Sequence, residues 1–120
     1  MLIDFDPVKN QRNLAKHGLS LLIATALDWE RGWLQPDTRK DYGERRVSAL
    51  VPQGEDLFFL AFVVRGEAKR IITLRRANRK FTSRFQHIEQ RLREAGREGP
   101  QPLDDMEALW LEAKRIEKGA

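Results

Sequence analysis

Apolar and polar residues change rhythm several times along this chain. In Leu2-Ile3-Asp4-Phe5 the apolar side chains Ile3 and Phe5 recur at period two, predicting a short strand. Asp6-Pro7 then opens a helix, with Asp as N-cap and Pro at the first turn, where a missing N–H costs nothing. That helix is expected to run to Lys16 or His17 and to stop on Gly18. Ser20 caps a second helix over 21–29, with Leu22, Ile23, Ala26 and Leu27 as its apolar stripe. Strands are then expected at Trp33-Leu34, 46–51, 57–64 and 69–75, the last three joined by tight turns at Gln53-Gly54-Glu55 and Gly66-Glu67. Asn78 caps a long helix through Ala95, in which Phe81, Phe85, Ile88 and Leu92 form a stripe expected to lie on the sheet. After the breaker-rich segment 96–102, Leu103, Met106, Trp110 and Ala113 mark one face of a last amphipathic helix, 103–118.

The pattern reads as an α+β domain over residues 1–95: one small antiparallel sheet with two N-terminal helices and a C-terminal helix packed on it. A linker and the extra helix 103–118 follow. At 120 residues the chain can bury one modest core. No apolar run approaches the roughly 18 residues of a membrane span, and Met1-Leu2-Ile3-Asp4 does not read as a signal peptide, so a cytoplasmic protein is expected. With no cysteine and only His17 and His87, neither a disulfide framework nor a transition-metal site is expected, and no cofactor is implied. Glycines are scattered singly and form no phosphate-binding loop.

The net charge of +4 is unevenly spread. Residues 65–97 hold eleven Lys or Arg against three Glu, a net of +8, whereas 98–120 hold six acidic and three basic residues, a net of −3. Concentrated positive charge is the footprint of a polyanion binder, although a solvated Arg-rich helix has the same composition.

Three groups of residues could carry chemistry. Arg65, Arg70, Arg75 and Arg76 flank the last strand; a planar, always-charged guanidinium grips phosphate, but charges also protect strand edges. By period two Arg75 shares a face with Ile71 and Thr73, while Arg70 shares the other with Ile72 and Leu74. Lys16-His17-Gly18 offers an imidazole as acid or base, or cations answering a helix C-terminus. Glu44 before Arg45-Arg46 offers a base, or one half of an ion pair.

The order of these pieces resembles the BrnT family. The matching blocks are Phe5-Asp6-Pro7-Val8-Lys9 with Asn13, Lys16-His17-Gly18-Leu19-Ser20, Asp41-Tyr42-Gly43-Glu44-Arg45-Arg46, and Val63 to Gly66 with Arg70 to Ala77. The similarity spans residues 3–87. It implies a RelE-like fold, a ribonuclease toxin that cleaves RNA without a metal, and a ribbon–helix–helix antitoxin through which the complex reaches operator DNA. It carries Arg65, Arg75, Glu44 and His17 over as catalytic, and Lys9, Lys16, Arg46, Arg70 and Arg76 as RNA-binding. Arg79, Lys80 and Arg84 of the long helix are added to the RNA-binding set on charge. The chain departs where the family often has Glu and Tyr early in the long helix: Phe81 and Phe85 stand there, with Thr73 in place of a signature Ser. A catalytically silent homologue that still binds an antitoxin is therefore the alternative. The tail helix is expected to dock back on the chain or onto a twin subunit in a homodimer.

Overall fold

The computed structural model describes residues 2–37, 43–97 and 103–119. They divide into two compact units, 1–76 and 77–120.

The first unit opens with β1 (Leu2–Phe5) and α1 (Pro7–His17). Asp6 caps α1 by accepting from the Val8 N–H, and Gly18 ends it in the left-handed region at φ 70°. Next come two 3₁₀ segments, Leu21–Ala26 and Trp29–Arg31, where one α-helix was expected. The buried residues explain the difference. Leu21, Ala24 and Leu27 reach the core at a spacing of three, which three residues per turn bring into line, while Leu22 is 57% exposed. The Thr25 hydroxyl donates to the Leu22 carbonyl at 2.8 Å, a local bond that competes with regular helix.

β2 (Trp33–Pro36), β3 (Arg46–Gln53), β4 (Asp56–Arg65) and β5 (Ala68–Arg76) complete a five-stranded sheet in the order β1-β5-β4-β3-β2. Gln53 pairs with Asp56 and Arg65 with Ala68, so two residues close each hairpin. Gly54 and Gly66 supply the positive φ (59° in both) at the first of them, as a II′-like turn requires. The sheet is not wholly antiparallel, because β1 pairs with β5 in parallel. The chain crosses from one edge strand to the other through α1 and the 3₁₀ segments. That crossing covers one sheet face: Leu19, Leu21, Ala24 and Leu27 cluster with Val47, Ala49, Val51, Phe58, Leu60, Phe62, Ile71 and Leu74.

Asn13 locks α1 to the sheet. β1 reaches along β5 only to Ile71, which leaves backbone groups of the next residues without a strand. Asn13 takes the place of one. Its Oδ1 accepts from the Leu74 N–H (3.1 Å), and its Nδ2 donates to the carbonyls of Leu74 and Leu19 (both 2.8 Å). Asn10 ties down the next segment by accepting from the Leu21 N–H at 2.7 Å.

The second unit contains α2 (Arg79–Glu94), capped by Asn78, and α3 (Leu103–Gly119). The stripe expected to lie on the sheet packs, within this unit, against α3. Phe81 meets Trp110 edge-on at 5.2 Å, and Phe85, Ile88, Met106 and Ala113 are buried. Ion pairs Arg84–Glu117 (3.1 Å), Arg91–Glu112 (3.3 Å) and Arg97–Asp105 run between the two helices and their connection, and His87 Nε2 lies 3.3 Å from Glu112. The acidic tail residues thus face cations of α2.

Candidate active site

The sheet face opposite the 3₁₀ layer gathers the arginines, and it does so through a β-bulge. Ala61 pairs with Thr73 but Phe62 pairs with Ile71, so Ile72 has no partner on β4. One unpaired residue reverses the parity of the strand beyond it. Ile71 and Leu74, an odd distance apart, both point into the core with no exposed surface. Arg70 and Arg75, expected on opposite faces, therefore share the other one. Arg46 lies there too, across Val63 from Arg70, and Arg65 two residues further along β4. Between the Arg46–Arg70 row and Arg75 runs a floor of small side chains, Ser48, Ala61 and Thr73. The Thr73 hydroxyl donates to Asn13 Oδ1 at 3.3 Å.

These arginines differ in their partners. Arg65 Nη2 donates to both carboxylate oxygens of Glu44 at 3.4 Å. Arg70 pairs with Asp4, and Arg46 Nε lies 3.6 Å from Asp37, whose side chain is almost fully buried. Arg75 has no carboxylate partner among the described residues. Its guanidinium lies 4.7 Å over the ring of Phe59, the residue opposite it on β4. Stacking holds the group in place and leaves its N–H donors unclaimed among the described residues.

The charge of Arg75 is felt by His17, at the end of α1. Its pKa is lowered from the usual 6.5, first by burial, then by the charges of Lys16 and Arg75. The imidazole is therefore neutral at neutral pH and able to accept a proton. Lys16 and His17 form the last turn of α1, and Lys9 is exposed on its first turns.

The four residues with expected catalytic roles consequently fall into two places. His17 and Arg75 are coupled through their charges. Glu44 and Arg65 pair with each other about 20 Å away, six residues along β4 from Phe59, at about 3.3 Å per residue. Arg76 is turned to the core-side face, its guanidinium 6.0 Å from the Phe58 ring centroid. Of the motif around Glu44, Asp41 and Tyr42 lie outside the described residues. In the second unit Arg79 and Lys80 are exposed, while Arg84 is held by Glu117 and lies 5.2 Å over Trp110.

Sequence reasoning missed Phe59, Asp4 and Asp37, because a partner across strands has no fixed spacing. Asn13 did leave a signal, as a poor helix former in mid-helix. Among the described residues no three His, Cys, Asp or Glu side chains gather as a metal site, and no helix is long and apolar enough to cross a membrane.

Residues 5–80 match the family model described as the ribonuclease toxin BrnT of type II toxin–antitoxin systems. Among solved structures, the chain is similar to the Brucella abortus ribonuclease toxin BrnT, determined at 1.1 Å. The identity is 28% and the TM-score 0.52, with 66% of this chain and 99% of that one covered. No curated protein matches.

Proposed function

The chain belongs to the BrnT family of ribonuclease toxins of type II toxin–antitoxin systems, and from that premise we propose that it cleaves RNA without a metal, with His17 as base and Arg75 as phosphate clamp. The observation that carries this reading is an imidazole that feels the charge of an arginine stacked on Phe59, an arginine with no carboxylate partner among the described residues.

The chemistry follows from those two groups. His17 takes the proton of a ribose 2′-hydroxyl as its oxygen attacks the adjacent phosphorus. The bond to the 5′-oxygen breaks, that oxygen takes a proton from solvent, and a 2′,3′-cyclic phosphate and a 5′-hydroxyl result. Arg75 meets the charge that grows on the phosphoryl oxygens, a contribution of about 3–4 kcal/mol for one well-placed donor. Lys9 and Lys16 supply positive potential along the backbone, whereas Arg46 and Arg70 are held by Asp37 and Asp4. Glu44, saturated by Arg65, acts in this reading by fixing that arginine.

As a toxin of this type the protein has an antitoxin partner and an RNA substrate. We take the antitoxin to be of the ribbon–helix–helix type, its complex with the toxin to repress their operon, and the toxin to act in the cytoplasm. The test is expression without the antitoxin. Wild type should arrest growth and leave RNA fragments ending in cyclic phosphate, in vitro also with EDTA present, and Arg75→Ala should do neither. Equal fragments from a folded Arg75→Ala protein would remove Arg75 from the mechanism.

A second reading is favoured by Phe81 and Phe85. Where the family often has Glu and Tyr, these rings are committed to packing: Phe81 on Trp110, and Phe85 at 2% exposure. A silent homologue would bind the antitoxin and cleave nothing, so intact RNA beside normal complex formation decides for it.

A further inference from the structure

One end of the α2–α3 hairpin holds cations where the rest of it holds ion pairs. Along most of the interface α3 answers α2 with carboxylates: Asp105 for Arg97, Glu112 for Arg91, Glu117 for Arg84. At the start of α2 the answer is reversed. Arg79 and Lys80 occupy the first turn of α2, which has no acidic residue, and α3 presents Lys114 and Lys118 beside them. These four residues line one groove of about 690 Å³, together with Ser83 and Gln86 among others. None of the four has a carboxylate partner among the described residues. The one carboxylate in the groove, Glu117, is taken by Arg84.

The arrangement is unfavourable without an anion. Cations in the first turn oppose the partial positive charge of the helix N-terminus, and lysines across the groove add repulsion. That rule is broken at Arg79 and Lys80, and Lys114 and Lys118 bring two more cations to the same groove, beside hydroxyl and amide donors, which marks a place where a ligand supplies the missing charge. Arg76 ends β5 and Arg79 begins α2, so the groove's cations follow the candidate active site directly in the chain. The α3 half of the groove lies beyond residues 5–80, outside the family match.

We propose that this groove is a second RNA-backbone site, in which Arg79 and Lys80 together with Lys114 and Lys118 neutralise phosphates of the strand being cleaved. The inference rests on the ribonuclease reading for its choice of ligand. The tail then adds to RNA binding rather than only shielding the basic helix. Two linked sites raise affinity beyond either alone.

The experiment measures the salt dependence of binding by the full chain to a short single-stranded RNA with 2′-O-methyl riboses, which cannot be cleaved by 2′-hydroxyl attack. Lys114→Ala/Lys118→Ala should flatten the log–log slope by about 1.4, near 0.7 for each phosphate that is no longer neutralised. Lys114→Arg/Lys118→Arg should restore it. Arg93→Ala removes an exposed cation of α2 outside the groove and should leave the slope nearly unchanged. The proposal is overturned by an unaltered slope or by an equal effect per charge from Arg93→Ala. Cleavage of unmodified RNA is assayed in parallel. RNA left intact by wild type, with the slope still responding to Lys114 and Lys118, would sink the catalytic reading and keep the groove.

Discussion

The two ends of the arginine face are built from the same residue type and differ in what surrounds it. At one end Arg65 meets the carboxylate of Glu44, with both side chains about half exposed. At the other, Arg75 rests on the ring of Phe59 and its charge is felt by an imidazole whose pKa is lowered. An arginine facing a carboxylate has spent its attraction for phosphate, and an incoming phosphate must first displace that carboxylate. An arginine on an aromatic ring is oriented without being neutralised. A count of arginines on a surface therefore overstates its phosphate-binding capacity. The partner across the strands decides which ones are available.

Deleting each arginine in turn puts the contrast at greatest risk. Arg75→Ala should lower kcat by about 10²–10³-fold, as expected for loss of one donor to a developing phosphoryl charge. Arg65→Ala should change kcat by less than about tenfold, because an exposed ion pair contributes little. Initial rates of RNA cleavage check both, and similar losses at the two ends would erase the distinction.

His17 probes the same contrast through pH. Its pKa lies below 6.5 in the folded protein, so the base form prevails at neutral pH and is lost as pH falls through that lowered value. Cleavage should therefore show an acid limb below pH 6.5, and His17→Ala should remove the limb and about 10²-fold of rate. Lys16→Ala takes away one of the two charges that depress the pKa, so its acid limb should move to higher pH. An unmoved limb in Lys16→Ala would mean that another group sets it.

Asn13 tests whether the His17 end depends on its anchor. Asn13→Ala leaves the Leu74 N–H and carbonyl, both next to Arg75 in sequence, without their partner. Buried groups left unsatisfied predict a loss of about 2–3 kcal/mol in urea unfolding. A loss well below about 1 kcal/mol would show that water or another strand takes over.

A more modest change is expected on the opposite face. Lys69 is 6% exposed, with its ammonium 3.8 Å from the Trp29 ring centroid. Burial lowers its pKa from 10.5. The folded state thus disfavours the charge, and the cost is present at neutral pH and shrinks as pH rises toward 10.5. Lys69→Met should keep stability or raise it by up to about 1 kcal/mol, with less gain in alkaline buffer. A clear destabilisation would mean that stacking on Trp29 outweighs desolvation, and that a cation on a ring stabilises this protein on both faces.

Much of the fold was legible in the residue order, because the signals are local. Asp6-Pro7, Gly18, Ser20 and Asn78 bound their segments where caps are expected, and each does so with backbone geometry or a hydrogen bond made within a few residues. Gly54 and Gly66 mark both hairpins by the same logic, since only the turn itself demands a positive φ. The succession of motifs from Phe5 to Ala77 was enough to point to the ribonuclease family, and so to RNA and an antitoxin. Interactions between distant residues were not legible. Alternation along β5 puts Arg70 and Arg75 on opposite faces, and only the unpaired Ile72, set by pairing with β4, turns them to the same one. The stripe of α2 announced burial but not its partner, since an apolar face has no address; α3 supplies one in the second unit. Charge is additive along a chain and can be counted there, but neutralisation depends on distance in space. For that reason Arg46, Arg65 and Arg70 lose their freedom to Asp37, Glu44 and Asp4, and Arg75 keeps its own.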